Sequence, residues 1–246
     1  MGDPLTDKVV LILGAAGGIG SACARMFADR GARVGLADVD GRSVSALADS
    51  LRVTAPTVLA REVDLTDLHQ AVRAVEAVSD EFGRLDVVVN CVGVMYIRPL
   101  IETNVAEWET TVDLNLTSAM WVVAATLPVF LRQGHGHFVS IGSVHGLKVS
   151  PGSAVHSASK VAVNALHEGM RMELAGHGIR VTTVNPGAVD TGMQDKTTGT
   201  DRERLRAIYE DAMPADAVAR AVAFAIEQPA DVAVNEIVIR PTVQLI

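Results

Sequence analysis

Short apolar runs rich in valine, isoleucine and leucine alternate along the chain with longer segments whose apolar residues recur every third or fourth position. The runs predict seven strands: Val9–Leu13, Arg33–Ala37, Thr57–Val63, Leu85–Asn90, His137–Ile141, Arg180–Asn185 and Val232–Ile239. Between them, helical periodicity covers Gly18–Arg30, Arg42–Leu51, Leu68–Phe82, Val105–Arg132, Ser153–Ala175 and Pro214–Glu227. Strand and helix in strict alternation predict βα units wound around a parallel sheet with helices on both faces, an α/β doubly wound fold. No proline-rich linker, composition break or repeat divides residues 1–246, so the expectation is a single domain. Periodicity fails only between Pro186 and Met213, where Gly187, Gly192, Gly199 and the polar stretch Gln194–Asp201 predict a long loop. A loop of that length inside a compact domain reads as a lid over a site, here residues 187–213.

Composition narrows the partners. The 246 residues are 49% hydrophobic and 20% charged, enough to bury a large core. The net charge of −8 opposes binding to nucleic acid or an anionic membrane surface. The longest apolar run, Ala119 to Leu131, is interrupted by Thr126 and Pro128, so no membrane span is expected. Two isolated cysteines, Cys23 and Cys91, give neither a disulfide framework nor a thiolate metal cluster. Acidic residues at the start of the chain are the wrong flank for an export signal, and a cytoplasmic protein is expected. His135 and His137 flank a turn glycine without a nearby carboxylate or thiolate, so no metal site is expected.

The first strand runs directly into Gly14-Ala15-Ala16-Gly17-Gly18-Ile19-Gly20, where a helical pattern begins. Glycines at such a turn let a pyrophosphate approach backbone N–H groups at the positive end of a helix. The second strand ends at Asp38, where a carboxylate accepts hydrogen bonds from an adenosine ribose and repels a 2′-phosphate. No Lys or Arg lies within the turn or directly after Asp38, which favours NAD over NADP.

Over nearly its whole length the chain resembles the short-chain dehydrogenase/reductase family, whose members have a Rossmann fold. The family's G-x-x-x-G-x-G falls on Gly14, Gly18 and Gly20, with Leu13 where threonine is usual, and its N-N-A-G corresponds to Asn90-Cys91-Val92-Gly93. The resemblance implies that Ile19 joins the glycine turn, and that Asp64 and Leu65 contact the adenine. It places Asn90 and Gly93 along the cofactor, and Pro186, Gly187, Val189 and Thr191 at the nicotinamide end. It also implies a homotetramer or dimer, with the helices Val105–Arg132 and Ser153–Ala175 paired across a two-fold axis.

Family members carry a serine, then a tyrosine thirteen residues on, then a lysine four further. Ser143 and Lys160 match, but position 156 is histidine. Asn115 corresponds to the asparagine that holds a water between lysine and solvent. A phenol gives or takes the substrate proton in the family mechanism. A histidine beside Lys160 is expected to be neutral, able to accept a proton but poorly supplied to give one. Imidazole is also shorter than phenol by roughly 2 Å, which leaves room for a water, for another proton carrier such as Tyr96 or His145, or for a substrate that needs no protein acid. Tyr96, His145 and Met193 are the candidate substrate contacts. Three readings stand at this point. One is an NAD-dependent oxidoreductase acting on a small or medium alcohol, carbonyl, C=N or C=C compound through a Ser-His-Lys site. Another is a dehydrogenase-derived isomerase, lyase, cyclase or cofactor-binding protein without redox turnover. The last is an ordinary dehydrogenase whose tyrosine was replaced by design. A Ser143-His156-Asp190 acyl-transfer triad is disfavoured because Ser143 lacks a nucleophile-elbow glycine pattern.

Overall fold

A computed structural model describes residues 3–53, 55, 58–193, 203, 207 and 209–244. Among them, seven strands form one parallel sheet in the order β3-β2-β1-β4-β5-β6-β9: β1 (Val9–Leu13), β2 (Arg33–Asp38), β3 (Val58–Glu62), β4 (Val87–Asn90), β5 (Gly136–Ile141), β6 (Ile179–Pro186) and β9 (Glu236–Ile239). The chain therefore has the expected doubly wound α/β architecture. Alternation of side chains along the pleat divides the core in two. Val10 and Ile12 of β1 face α1 (Gly18–Asp29), α2 (Gly41–Leu51) and α7 (Ala215–Glu227). Val9, Leu11 and Leu13 face the other layer, α3 (Leu68–Phe82), α5 (Ser118–Gln133) and α6 (Ala154–Leu174).

Local signals set the helix limits. The Asp40 carboxylate caps α2 through the Ser43 N–H, and Asp67 caps α3 through the N–H groups of His69 and Gln70. Gly83 and Gly134, both with positive φ, end α3 and α5 in the left-handed conformation. The predicted helix Val105–Arg132 is not uniform. It divides into α4 (Val105–Val112), a π turn at Asp113–Thr117, and α5. The whole run Val105–Gln133 is long and apolar enough to span a membrane by length and composition, contrary to the expectation from Thr126 and Pro128. Its apolar stripe, including Val122, Ala125, Val129 and Phe130, is instead taken up by the protein core. The last strand is also shorter than predicted. Among the described residues it pairs only with β6, starting at Thr183 opposite Glu236, while the preceding Val234 and Asn235 carbonyls accept bonds from Thr182 Oγ1 and the Thr183 N–H outside the regular ladder.

The strand order reverses between β1 and β4, and the two strands' C-terminal ends open the crevice where an open parallel sheet binds ligands. A separate pair, β7 (Val189–Asp190) and β8 (Met213–Pro214), is parallel, so the candidate lid leaves and rejoins the rim at one place. Most of that lid, residues 194–202, 204–206 and 208, lies outside the described residues.

Candidate active site

The crevice holds a cavity of about 660 Å³ lined by the glycine turn, the ends of β2 and β3, the loop after β4 and the start of the π turn. Of the residues singled out from sequence, Gly14, Gly18, Ile19, Gly20, Asp38, Asp64, Leu65, Gly93, Thr191 and Met193 line it. The turn is built for close approach. Gly14 has φ +74°, and a Cβ on Gly20 would fall 2.1 Å from the Gly14 carbonyl oxygen. A Cβ on Gly18 would fall 2.8 Å from the Thr191 side chain, so this glycine lets the β7 rim sit on the start of α1.

Asp38 is tied into the same turn. Its Oδ2 accepts from the Ala16 N–H at 2.9 Å and its Oδ1 from the Asp40 N–H at 3.0 Å. Each carboxylate oxygen retains a lone pair for a ligand. Sequence reasoning did not anticipate that Asp40 and Asp113 also line the cavity. With Asp38 and Asp64 they make four carboxylates, and no Lys or Arg is among the described residues lining it. The charged groups on the wall are therefore all anionic among the described residues, and the N–H groups of the helix start supply the positive end.

Other candidates support the cavity from outside. Asn90 is buried and its Oδ1 accepts from the Val92 N–H at 3.1 Å, holding the loop after β4. Pro186 ends β6, the Gly187 N–H donates to the Ile239 carbonyl at 2.8 Å, and Val189 is buried in β7. These positions shape the rim without lining the cavity.

A second group of side chains abuts the first at Gly93, where a Cβ would meet Asn115 Oδ1 at 3.0 Å and Lys160 Nζ at 3.3 Å. Lys160 lies on α6 one turn after His156 and is buried, with its ammonium donating to the Ile141 carbonyl at 3.0 Å. Burial lowers its pKa to about 8. Asn115 sits in the π turn, which swings its amide onto the loop after β4. Its Oδ1 accepts from the Val94 N–H at 2.7 Å, and its Nδ2 donates to the Val94 carbonyl at 3.0 Å and to Ser159 Oγ at 2.9 Å. That amide spans three elements. Nothing in the spacing of the sequence announced Ser159 or Val94 as its partners.

His156 is 4% exposed. Its Nδ1 lies 3.2 Å from the Val94 carbonyl oxygen, which can only accept, so Nδ1 carries the hydrogen and Nε2 is a bare acceptor. Burial, then the neighbouring Lys160 and His145, drives the pKa down to about 3. Desolvation outweighs the lysine as the cause. The His145 ring packs edge-on against His156, with centroids 5.6 Å apart and planes at 88°. Ser143 begins the same short turn: its Oγ accepts from the His145 N–H at 3.1 Å, and its N–H donates to Asn185 Oδ1 at 2.9 Å. Tyr96 lies half-buried in the loop after β4. Met193 packs with Met95, Ile97 and Tyr209 in a small apolar cluster beside the rim.

Comparison with known proteins gives a consistent picture. The short chain dehydrogenase family profile matches residues 8–202. An uncharacterised oxidoreductase of Staphylococcus aureus strain USA300 is 35% identical over 237 residues, 96% of this chain and 98% of its own length. A glycine betaine reductase of Emericella nidulans is 38% identical over 242 residues, 97% of this chain, and the chain spans only 19% of that protein's length. Among solved structures, the closed form of a serine dehydrogenase with NADP+ superposes with a TM-score of 0.87 at 26% identity, covering 94% of this chain and 93% of that one. A Burkholderia phymatum short-chain dehydrogenase/reductase with NAD also gives 0.87 at 26% identity, covering 97% and 90%.

Proposed function

Because the chain belongs to the short-chain dehydrogenase family and is an oxidoreductase of that type, we propose that it oxidises an uncharged small or medium organic alcohol with NAD, or runs the corresponding C=O, C=N or C=C reaction. The observation that carries the cofactor choice is the cavity wall: four carboxylates and, among the described lining residues, no cation to receive a 2′-phosphate. Both NAD and NADP complexes occur among the similar structures, so the choice rests on this chain's own charges. The glycine cradle, which a Cβ at Gly18 or Gly20 would fill, fits a pyrophosphate at the start of α1. Asp38 would hold the adenosine ribose, Asp64 and Leu65 the adenine, and Thr191 with the β6–β7 rim the nicotinamide end.

Bound NAD supplies the hydride acceptor. Ser143 would orient the substrate oxygen and Lys160, buried beside Gly93, would hold the nicotinamide ribose, while Asn115 fixes the Val94 loop against α6. His156, with Nδ1 committed to Val94, offers Nε2 as a hydrogen-bond acceptor to a substrate hydroxyl. An acceptor-only imidazole supports oxidation over reduction.

Exposed Val105, Val112, Met120 and Leu131 on α4 and α5, with Val161 and Met172 on α6, support a homo-oligomeric dimer or tetramer. The free thiols Cys23 and Cys91 support a reducing, cytoplasmic compartment. A non-redox reading draws on the histidine at position 156. Calorimetry with NAD and NADP, followed by NADH production across a panel of alcohols, tests the proposal. Tighter binding of NAD and turnover of at least one alcohol are expected, and tight NAD binding without turnover on any alcohol, ketone or imine would favour the non-redox reading.

A further inference from the structure

The turn that follows β9 reaches back to the rim between β6 and β7. It is closed by the Gln244 N–H, which donates to the Pro241 carbonyl at 3.0 Å. From there the Gln244 side chain extends to Ala188, whose N–H donates to Gln244 Oε1 at 2.8 Å. A backbone N–H can only donate, so the oxygen of the amide, not its nitrogen, faces Ala188. Ala188 is 3% exposed, and a donor so deeply buried is costly to leave without an acceptor.

The neighbouring peptide groups show what this bond holds. The Gly187 N–H donates to the Ile239 carbonyl at 2.8 Å, and the Ala188 carbonyl accepts from the Met213 N–H at 3.0 Å, where β8 rejoins the rim. Ala188 is therefore gripped by the turn after β9 on its N–H side and by β8 on its carbonyl side. Gly187 has no positive φ, so its backbone conformation does not call for glycine. Space does, because a Cβ at this position would fall 2.0 Å from Gln244 Oε1. The bare α-carbon of Gly187 is what lets the amide oxygen reach the next residue. Three residues beyond Ala188, Thr191 lines the cavity and packs on the start of α1, where a Cβ on Gly18 would fall 2.8 Å from its side chain.

Resting on the NAD reading above, we propose that Gln244 is a positioning residue for the nicotinamide end of the cofactor, acting through Ala188 to pin the rim that ends at Thr191. It does not line the cavity itself. The strand order puts the adenosine side, Asp38 at the end of β2 and Asp64 after β3, across the β1–β4 reversal from β6 and β9. The two halves of the nucleotide therefore respond differently to the loss of Gln244.

Variants at both positions of the contact test this. Q244A removes the acceptor, Q244E keeps an oxygen at the same reach, and G187A drives the amide off Ala188. By calorimetry, Q244A should weaken NAD binding by about tenfold, while ADP-ribose, which lacks the nicotinamide ring, changes by less than about twofold. Q244E should recover most of the loss. G187A should weaken NAD by a similar factor in the native chain and by much less when added to Q244A, because the atom its methyl group strikes is gone. Equal losses for NAD and ADP-ribose, or native NAD affinity in Q244A, would overturn the proposal. Amide hydrogen exchange without nucleotide gives a readout independent of the cofactor: the Ala188 N–H should exchange at least about tenfold faster in Q244A, with β1 unchanged. Unchanged protection of Ala188, or equal acceleration in β1, would overturn the pinning. If the native chain binds neither NAD nor ADP-ribose, the NAD reading fails by itself, and the exchange rates still decide whether Gln244 holds the rim.

Discussion

The carboxylate of Asp38 accepts a hydrogen bond from the Ala16 N–H at 2.9 Å, so the residue that ends β2 also fixes the conformation of the glycine turn after β1. One side chain thus shapes the pyrophosphate cradle and presents negative charge where a ribose would lie. Replacing it by Asp38→Asn removes the charge and keeps an acceptor for one of the two backbone N–H groups. The ratio of NADP to NAD affinity should rise by about 10–100-fold, the equivalent of about 1.5–3 kcal/mol for charged hydrogen bonds. Titration calorimetry with both nucleotides measures it, and an unchanged ratio would remove Asp38 from the selection.

Gly20 is the tightest position in the turn, since an added Cβ would overlap the Gly14 carbonyl. Gly20→Ala should destabilise the fold by about 1–3 kcal/mol through this overlap and weaken nucleotide binding by more than tenfold. Urea unfolding and nucleotide titration of the same sample give both numbers. Wild-type affinity in the variant would mean the cradle tolerates a side chain.

Asn115 holds Val94 through both of its backbone groups. Asn115→Ala leaves the buried Val94 N–H without its acceptor and should cost about 2–4 kcal/mol of stability, beyond the usual effect of a surface substitution. It should also release the Val94 carbonyl that orients His156, lowering kcat more than it weakens NAD binding. A variant as stable as the native chain would limit Asn115 to a solvent relay.

Acid should unfold the protein early. His156 and His167, the latter bonded to Ser140 and Thr183, are held down by burial to about 3 and about 4. His137, buried against Thr182, is depressed for the same reason. Between the unfolded value near 6.5 and these folded values, the unfolded chain binds protons that the native chain refuses. Stability must therefore fall as pH drops from about 6.5 toward 4, with an unfolding proton uptake of about one per histidine. His167→Gln should reduce that uptake by about one, read from the pH dependence of the urea midpoint. An unchanged slope would show that His167 titrates normally in the native state.

Much of this was legible in the chain itself. The alternation of strand and helix periods fixed the fold class, because a sheet covered on both faces demands that pattern and short crossovers allow few windings. The glycine turn and Asp38 were visible because backbone approach and ribose recognition need those residue types at the ends of adjacent strands. Other features depend on contacts between distant segments and leave no local trace. The π turn at Asp113–Thr117 breaks a helix whose periodicity looks continuous, and it is this break that brings Asn115 onto Val94 and Ser159. Asp40 and Asp113 join the anionic wall from separate elements. The direction of the hydrogen on the His156 ring was likewise beyond reach of the sequence. A ring nitrogen takes its role from whichever carbonyl folding brings to it, Val94 for His156, and only the packed α6 and its neighbouring loop supply it.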